Sequence, residues 1–427
     1  MSDTEGQVLG RVPVLTVHTE PLDSIRPLVP LVDSRNPLVF SRRGRGIAGV
    51  GEALRLEFSG PTRMTDAARV WKQVAAAAKV TNPLDIPGTG LVAFGAFAFS
   101  DESSATSVLI VPSMIIGRHD GQSWITRISS DLASDGSAAP AHGTAAPPMA
   151  TPAGDEFRIS LLPGSLDAAG YRDAVDAAVQ RIRAGELSKV VIARDLVGRL
   201  PADADLRLVL AELALGYPDC WTFAVDGLIG SSPETLVRAD NGTVSARVLA
   251  GSTARGVDAL SDQEAAVGLA TSTKDLDEHE YALQSLLSSL RPHSKNVATS
   301  EVPFTLKLPN LWHLASDVEG TLSDGSTSLD LIAALHPTAA VAGTPTAAAL
   351  GVIRELEPFD RGRYAGPVGW VGADGDGEWA VALRCAEVKP DGTITAFAGA
   401  GIVTESDPDM ELAETKMKFR PVVEAFS

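Results

Sequence analysis

Two cysteines, Cys220 and Cys385, are all that the 427 residues contain. That is too few for a disulfide framework or a cysteine-based zinc site. Positive charge is also scarce: 36 Lys and Arg face 54 Asp and Glu, giving a net charge of -18. Such a field repels nucleic acid and anionic membrane, and neither is expected as a partner. It also means that an anionic substrate needs local Arg, Lys or a metal to hold it. No apolar run approaches the roughly 20 residues of a membrane span, the longest candidates being short stretches such as Leu91 to Phe99. Met1-Ser-Asp-Thr-Glu-Gly6 is acidic and has no apolar signal core, so the expectation is a soluble cytoplasmic protein. The 7 histidines are scattered and none accompanies a GxSxG elbow, so a Ser-His-Asp triad is not indicated. Gly399-Ala-Gly401 is too short for a nucleotide-binding fingerprint and lacks the strand-to-helix context of one.

Apolar residues are not scarce. At 44% they suffice for a large core. An Ala, Pro, Gly and Ser bias over 132–156 divides the chain into an N-terminal part, 1–131, and a longer part, 157–427. Before the divide lie strand-like pieces at Val12–Val17, Leu91–Phe99, Ser107–Val111 and Gln122–Ile128, and one helical stretch, Thr65–Val80. No catalytic constellation is visible there. After it, Tyr171, Ala174, Val175, Ala178, Val179 and Ile182 follow helical spacing between a start at Ser165 and a stop at Gly185. Lys189–Arg194 reads as a strand with Lys189 at its mouth. A long helix is expected from about Asp262 to Leu290, with Leu283, Leu286, Leu287 and Leu290 buried. Trp379–Ala386 and Thr393–Phe397 read as a hairpin around Pro390-Asp-Gly392. Strands and helices alternating without βαβ regularity favour an α+β fold with large antiparallel sheets.

The chemistry-bearing residues lie in the second part. Asp407 and Pro408 signal a helix start, after which Glu411, Glu414 and Lys418 stack on one side. Met410, Ala413 and Met417 form the adjacent stripe expected to be buried. Two glutamates one turn apart can share an oxygen-loving cation such as Mg²⁺, and the lysine can hold a carboxylate that the cation also touches. A solvated acidic face with a Glu414–Lys418 pair is the competing reading. Lys189 opens an otherwise apolar strand, an expensive place for a charge. It is either a snorkelling strand-end lysine or a desolvated amine able to act as a base. Glu234, in Gly230-Ser-Ser-Pro-Glu234, projects from a turn; it is either solvated or an enclosed acid with a raised pKa. Glu278 belongs to the charged run Thr273–Glu280, a solvated face unless it meets Glu411 and Glu414. Arg384 interrupts an apolar strand and asks for a carboxylate or phosphate partner. Gly399 and Gly401 allow close backbone approach to a ligand.

Taken in order, Leu187–Arg194, Gly230–Glu234, Leu249–Ser252, Lys274–Glu280, Leu311–Ala315, Leu335–Thr338, Glu355–Arg361, Ala382–Ala386 and the 399–403 turn with its helix resemble the chorismate-utilising enzymes, isochorismate synthases above all. The match spans about Tyr171 to Lys418. The resemblance implies one integrated α+β unit: two stacked, mainly antiparallel sheets flanked by helices, the N-terminal part supplying half of them. It implies Mg²⁺ held by Glu278 and Glu414, with Glu411 reaching it through water or from the next layer out. The ring carboxylate of chorismate would meet the cation. Arg384, Lys418 and the backbone at Gly399 would hold the enolpyruvyl carboxylate, and Ser252 would line the ring. Lys189, uncharged, would activate a water for attack at C2 while Glu234, protonated, assists loss of the C4 hydroxyl. Lysine at 189 favours water, since anthranilate-forming relatives usually have Gln there. Aminodeoxychorismate-forming relatives typically have a lysine where Ala250 stands, and a fused glutamine amidotransferase segment is not expected. Tyr364 and Leu383 resemble salicylate-forming relatives, whereas His336-Pro-Thr338 resembles isochorismate-releasing ones, and the latter is weighted more heavily. The expectation is therefore an Mg²⁺-dependent isochorismate synthase feeding menaquinone or siderophore synthesis, acting as a monomer. Its rivals are a salicylate synthase and, distantly, a binding scaffold without catalysis.

Overall fold

The computed structural model describes residues 12–23, 27–131 and 150–427. Residues 132–149 of the Ala/Pro/Gly-rich stretch lie outside the described residues. Among the described residues eight helices accompany the strands: α1 (Arg63–Ala77), α2 (Ala168–Arg183), α3 (Leu206–Gly216), α4 (Ala259–Thr271), α5 (Thr273–Leu290), α6 (Ser328–Leu335), α7 (Thr346–Leu356) and α8 (Pro408–Phe426).

The strands form a 13-stranded and a 10-stranded sheet, each drawing on both sides of residues 132–149. Pairing is antiparallel except where Leu15–Leu22 meets Lys79–Thr81. Apolar side chains from both sheets, such as Phe40 and Phe223 of the larger and Phe94 and Trp379 of the smaller, share one buried cluster. The α+β reading with two large, mainly antiparallel sheets is the architecture found.

Two places where the chain passes between sheets matter most. Leu228–Ser232 belongs to the larger sheet and Thr235–Asp240 to the smaller, so Pro233 and Glu234 make the crossing. The return crossing is 382–384, between Gly377–Val381 in the smaller sheet and Cys385–Val388 in the larger. The expected strand Trp379–Ala386 is thus two strands. The break is at Arg384, whose φ of 50° is left-handed and incompatible with a continuing ladder. The hairpin around Pro390–Gly392 joins Cys385–Val388 to Thr393–Ile402.

Helix α2 follows the expected pattern: Asp167 caps it by accepting from the backbone N–H groups of Ala169 and Gly170, and the six spaced apolar residues are buried. The long helix expected from Asp262 to Leu290 is two. Ser272 ends α4 and caps α5 by accepting from the Asp275 N–H, because a serine side chain serves an N-terminus better than a helix interior. Helix α8 begins as expected, with Asp407 accepting from the N–H groups of Asp409 and Met410. Its rotation is not as expected: Met410 is 70% exposed and Ala413 is exposed, whereas Glu411 is 2% exposed. The buried side carries Glu411, Leu412, Thr415, Phe419 and Val422. The helix turns its acidic side inward, where lysines meet it, and leaves apolar Met410 in water.

Candidate active site

The strand Lys189–Arg199 pairs antiparallel with Thr393–Ile402, setting Val191 opposite Gly401 and Ala193 opposite Gly399. Its register is held from behind by a buried ion pair. Arg361 donates to both oxygens of Glu357 at 2.8 and 2.6 Å, and to the carbonyls of Val341 and Val191. Glu357 in turn accepts from the Ala193 N–H at 2.7 Å. Lys189 at the strand's start is fully buried. Its Nζ lies 2.9 Å from Glu278 Oε1 of α5 but outside hydrogen-bond geometry, so charge rather than a directed bond joins them. Gly401 is required beside this pair. A Cβ there would stand 2.6 Å from Glu278 Oε1 and 3.0 Å from Lys189 Cε.

Glu278, Glu234, Ser252, Tyr364, Arg384, Gly399, Glu414 and Lys418 border one cavity between the sheets. Of the expected catalytic, substrate and metal residues, only Lys189 and Glu411 do not line it: Lys189 stands behind Glu278, and Glu411 pairs with Lys274. In this conformation its open space is about 60 Å³, enough for a few waters, because its own charged side chains fill it. Glu278 also borders a second, open cleft with Lys274 and Asp277, so it stands between solvent and the cavity.

The electrostatics follow from burial. Glu234 is 4% exposed at the sheet crossing. Desolvation pushes its carboxyl up to about 8, against the opposing charges of Lys189, Arg384 and Lys418. Burial also works to raise Glu414, but Lys418 at 2.6 Å and the Ser252 hydroxyl at 3.0 Å outweigh it and hold the group low. Lys418 also donates to the Gly399 carbonyl at 2.9 Å. Ser252 reaches Glu414 from a bulge whose Gly251 has a φ of 81°. Glu411 is raised by burial and then by Glu414, against Lys274, whose Nζ lies 3.2 Å away.

Of the two partners open to Arg384, a protein acid or a ligand, the first is absent: it has no carboxylate partner among the described residues. It donates to Nε2 of His313 at 3.2 Å. Its charge is buried and opposed by no acid at contact distance, leaving it available to an anion. His313 belongs to the Leu311–Ala315 motif, and nothing in the sequence assigns it a role. Its Nδ1 faces the Gly251 carbonyl at 3.3 Å, and burial followed by Arg384 holds the imidazole well below its ordinary pKa. A neutral ring donating at Nδ1 and accepting at Nε2 satisfies both contacts. His279, between the Ala250 carbonyl and Ser316, is likewise neutral through burial. Tyr364 stacks on Phe397 at 5.3 Å and closes the apolar side of the cavity.

Glu278, Glu411 and Glu414 are each met by a lysine: Lys189, Lys274 and Lys418. Among the described residues, no three His, Cys, Asp or Glu side chains are already gathered closely enough to hold a metal ion. The donor set nevertheless fits an oxygen-seeking divalent cation in type. These are carboxylates that feel one another, with ammonium groups supplying the charge a cation would bring.

Known proteins resemble this chain in sequence and in fold. The DhbC isochorismate synthase of Bacillus subtilis is 40% identical over 285 residues, 64% of this chain and 71% of its own length. The EntC isochorismate synthase of Escherichia coli K12 is 39% identical over 246 residues, 56% of this chain and 63% of its own. The structure of MenF, the menaquinone-specific isochorismate synthase of Escherichia coli, superposes with a TM-score of 0.76 at 22% identity, covering 98% of this chain and 97% of that one. A family model described as chorismate binding enzyme matches residues 12–427, and the chain belongs to that family.

Proposed function

We propose that this protein is an isochorismate synthase, an isomerase that adds water at C2 of chorismate and expels the C4 hydroxyl. One observation carries the reading: a buried lysine and a buried carboxyl with a pKa near 8 adjoin the same enclosed cavity. Lys189, when uncharged, takes a proton from the attacking water as its oxygen bonds to C2. The ring double bond shifts, the C4–O bond breaks, and Glu234 gives its proton to the departing hydroxyl. One proton is gained by Lys189 and one lost by Glu234, so exchange with solvent restores both.

Arg384 and Lys418, with the backbone at Gly399, hold the enolpyruvyl carboxylate. Ser252 borders the ring and Tyr364 packs on its apolar side. Glu278 and Glu414, with Glu411 behind them, would hold Mg²⁺, which when bound supplies positive charge for the ring carboxylate. Substrate needs more than about 60 Å³, so Lys418 must give up Glu414, and Lys189 must give up Glu278, for the site to open. The exchange leaves Lys418 free for the substrate carboxylate. It also resolves the mismatch between an acidic protein and a dianionic ligand.

No helix among the described residues is long and apolar enough to cross a membrane. A cytoplasmic monomer feeding menaquinone or siderophore synthesis is the reading we adopt.

Salicylate synthase is the second reading, because Tyr364 and Leu383, the two positions resembling salicylate-forming relatives, both line the cavity. Purified protein given chorismate and Mg²⁺ and followed by proton NMR decides. Isochorismate accumulating without pyruvate supports the proposal; salicylate and pyruvate formed without an added lyase replace it with the second reading.

A further inference from the structure

The tips of two β-hairpins, Leu38–Arg42 with Arg45–Val50 and Met114–His119 with Gln122–Ser130, form a cleft of about 570 Å³ that shares no lining residue with the active cavity. Four arginines line it, Arg42, Arg43, Arg45 and Arg118, in a chain with a net charge of -18. Asp120 is the one acid on its wall, beside His119. Like charges so placed repel, and Arg42 shows it: burial first, then Arg247, Arg43 and Arg45, lower its pKa.

Neighbouring carboxylates account for only part of this charge. Arg43 pairs with Asp219 at 2.6 Å. Arg45 stands 3.6 Å from Glu378, which lies closer to Arg238 at 3.3 Å. Arg42 and Arg118 have no carboxylate partner among the described residues, and Arg42 Nε is buried without any hydrogen bond. The fold also invests in this placement. The Arg42 and Arg45 guanidiniums lie 5.3 and 5.7 Å from the ring centre of buried Trp221, which holds them in place. Each tip turns through two left-handed residues, Arg43 and Gly44 in one and Asp120 and Gly121 in the other. Gly44 has no side chain where the Arg118 guanidinium passes, and a Cβ there would displace that flexible end from its place.

We propose that this cleft is a binding site for a compact anion carrying two or more adjacent phosphoryl groups. Guanidinium forks pair two oxygens at a time, so several of them converging ask for more acceptor oxygens than one phosphate or carboxylate carries. Titration calorimetry of the whole protein with sodium tripolyphosphate, at ionic strength held constant with chloride, tests it. One site per chain is expected, with orthophosphate and citrate at least tenfold weaker. Arg118→Gln, and separately Gly44→Ala, should weaken tripolyphosphate roughly tenfold or more, the range for losing a hydrogen bond to a charged group. Tryptophan emission should respond to the titration in the parent protein and not in Trp221→Phe. Absence of binding, binding unchanged in Arg118→Gln with its fold intact by circular dichroism, or citrate binding as tightly as tripolyphosphate would each overturn the assignment.

Discussion

Replacing Glu234 by Gln removes the proton donor and should abolish turnover, yet it should make the folded protein more stable. The carboxyl ionises freely near 4.5 in the unfolded chain and near 8 in the cavity. Its contribution to folding is therefore fully present below pH 4.5 and is lost as pH rises through 8, because only the unfolded state sheds the proton easily. Glutamine has nearly the same shape and never ionises. The variant's advantage should be near zero at about pH 4.5, about 3 kcal/mol at pH 7 and about 5 kcal/mol above pH 8, as an upper range. For a chain of this length that is a rise of roughly 3–5 °C in Tm. Calorimetric scans of both proteins across about pH 5 to 9 measure it, with chorismate binding by calorimetry as the check that the cavity survives. A variant no more stable than the parent, or an advantage that shrinks as pH rises, would refute the claim that Glu234 is held protonated by burial.

The same carboxyl should set an alkaline limb in the activity of the parent enzyme, kcat falling as pH passes about 8; a flat profile through that range counts against Glu234 as the acid. Gly401→Ala drives a methyl group into Lys189 and Glu278, and should lower kcat at least tenfold with little change in Tm, read from steady-state kinetics and a melting curve. Glu357→Ala strands buried Arg361 and frees the Ala193 N–H. A loss of about 3–5 kcal/mol in urea unfolding is expected. Ser252→Ala removes one hydrogen bond to Glu414 and should cost about 1–3 kcal/mol there, seen as a rise of roughly 5- to 100-fold in the Mg²⁺ concentration for half-maximal rate.

Helices with an apolar stripe were legible from spacing alone, α2 down to each buried residue. Helix α8 shows the limit of that logic. Its orientation is set by partners from other elements, Lys274 of α5 meeting Glu411 and Arg194 meeting Thr415, so the acidic side faces inward and Met410 outward. The split between α4 and α5 was hidden because one serine carries it within a charged stretch that reads as helix. Glu234 and Arg384 were legible as residues out of place, a charge after a turn and a charge in a strand. What spacing cannot give is that both mark the crossings between two sheets, which is why both line the one cavity. His313 was missed because a lone histidine in a strand signals nothing until Arg384 is found beside it. The arginine cleft was missed because its two hairpins are about 75 residues apart in sequence, though Arg42-Arg-Gly-Arg45 alone could have raised the question.

Oxygen-18 water tests the central claim most directly. With chorismate and Mg²⁺ in labelled water, one solvent oxygen is expected in isochorismate, at C2. No labelled product is expected from Lys189→Ala or Glu234→Gln, although both still bind chorismate. Unlabelled isochorismate from the parent enzyme, or normal turnover in either variant, would contradict it.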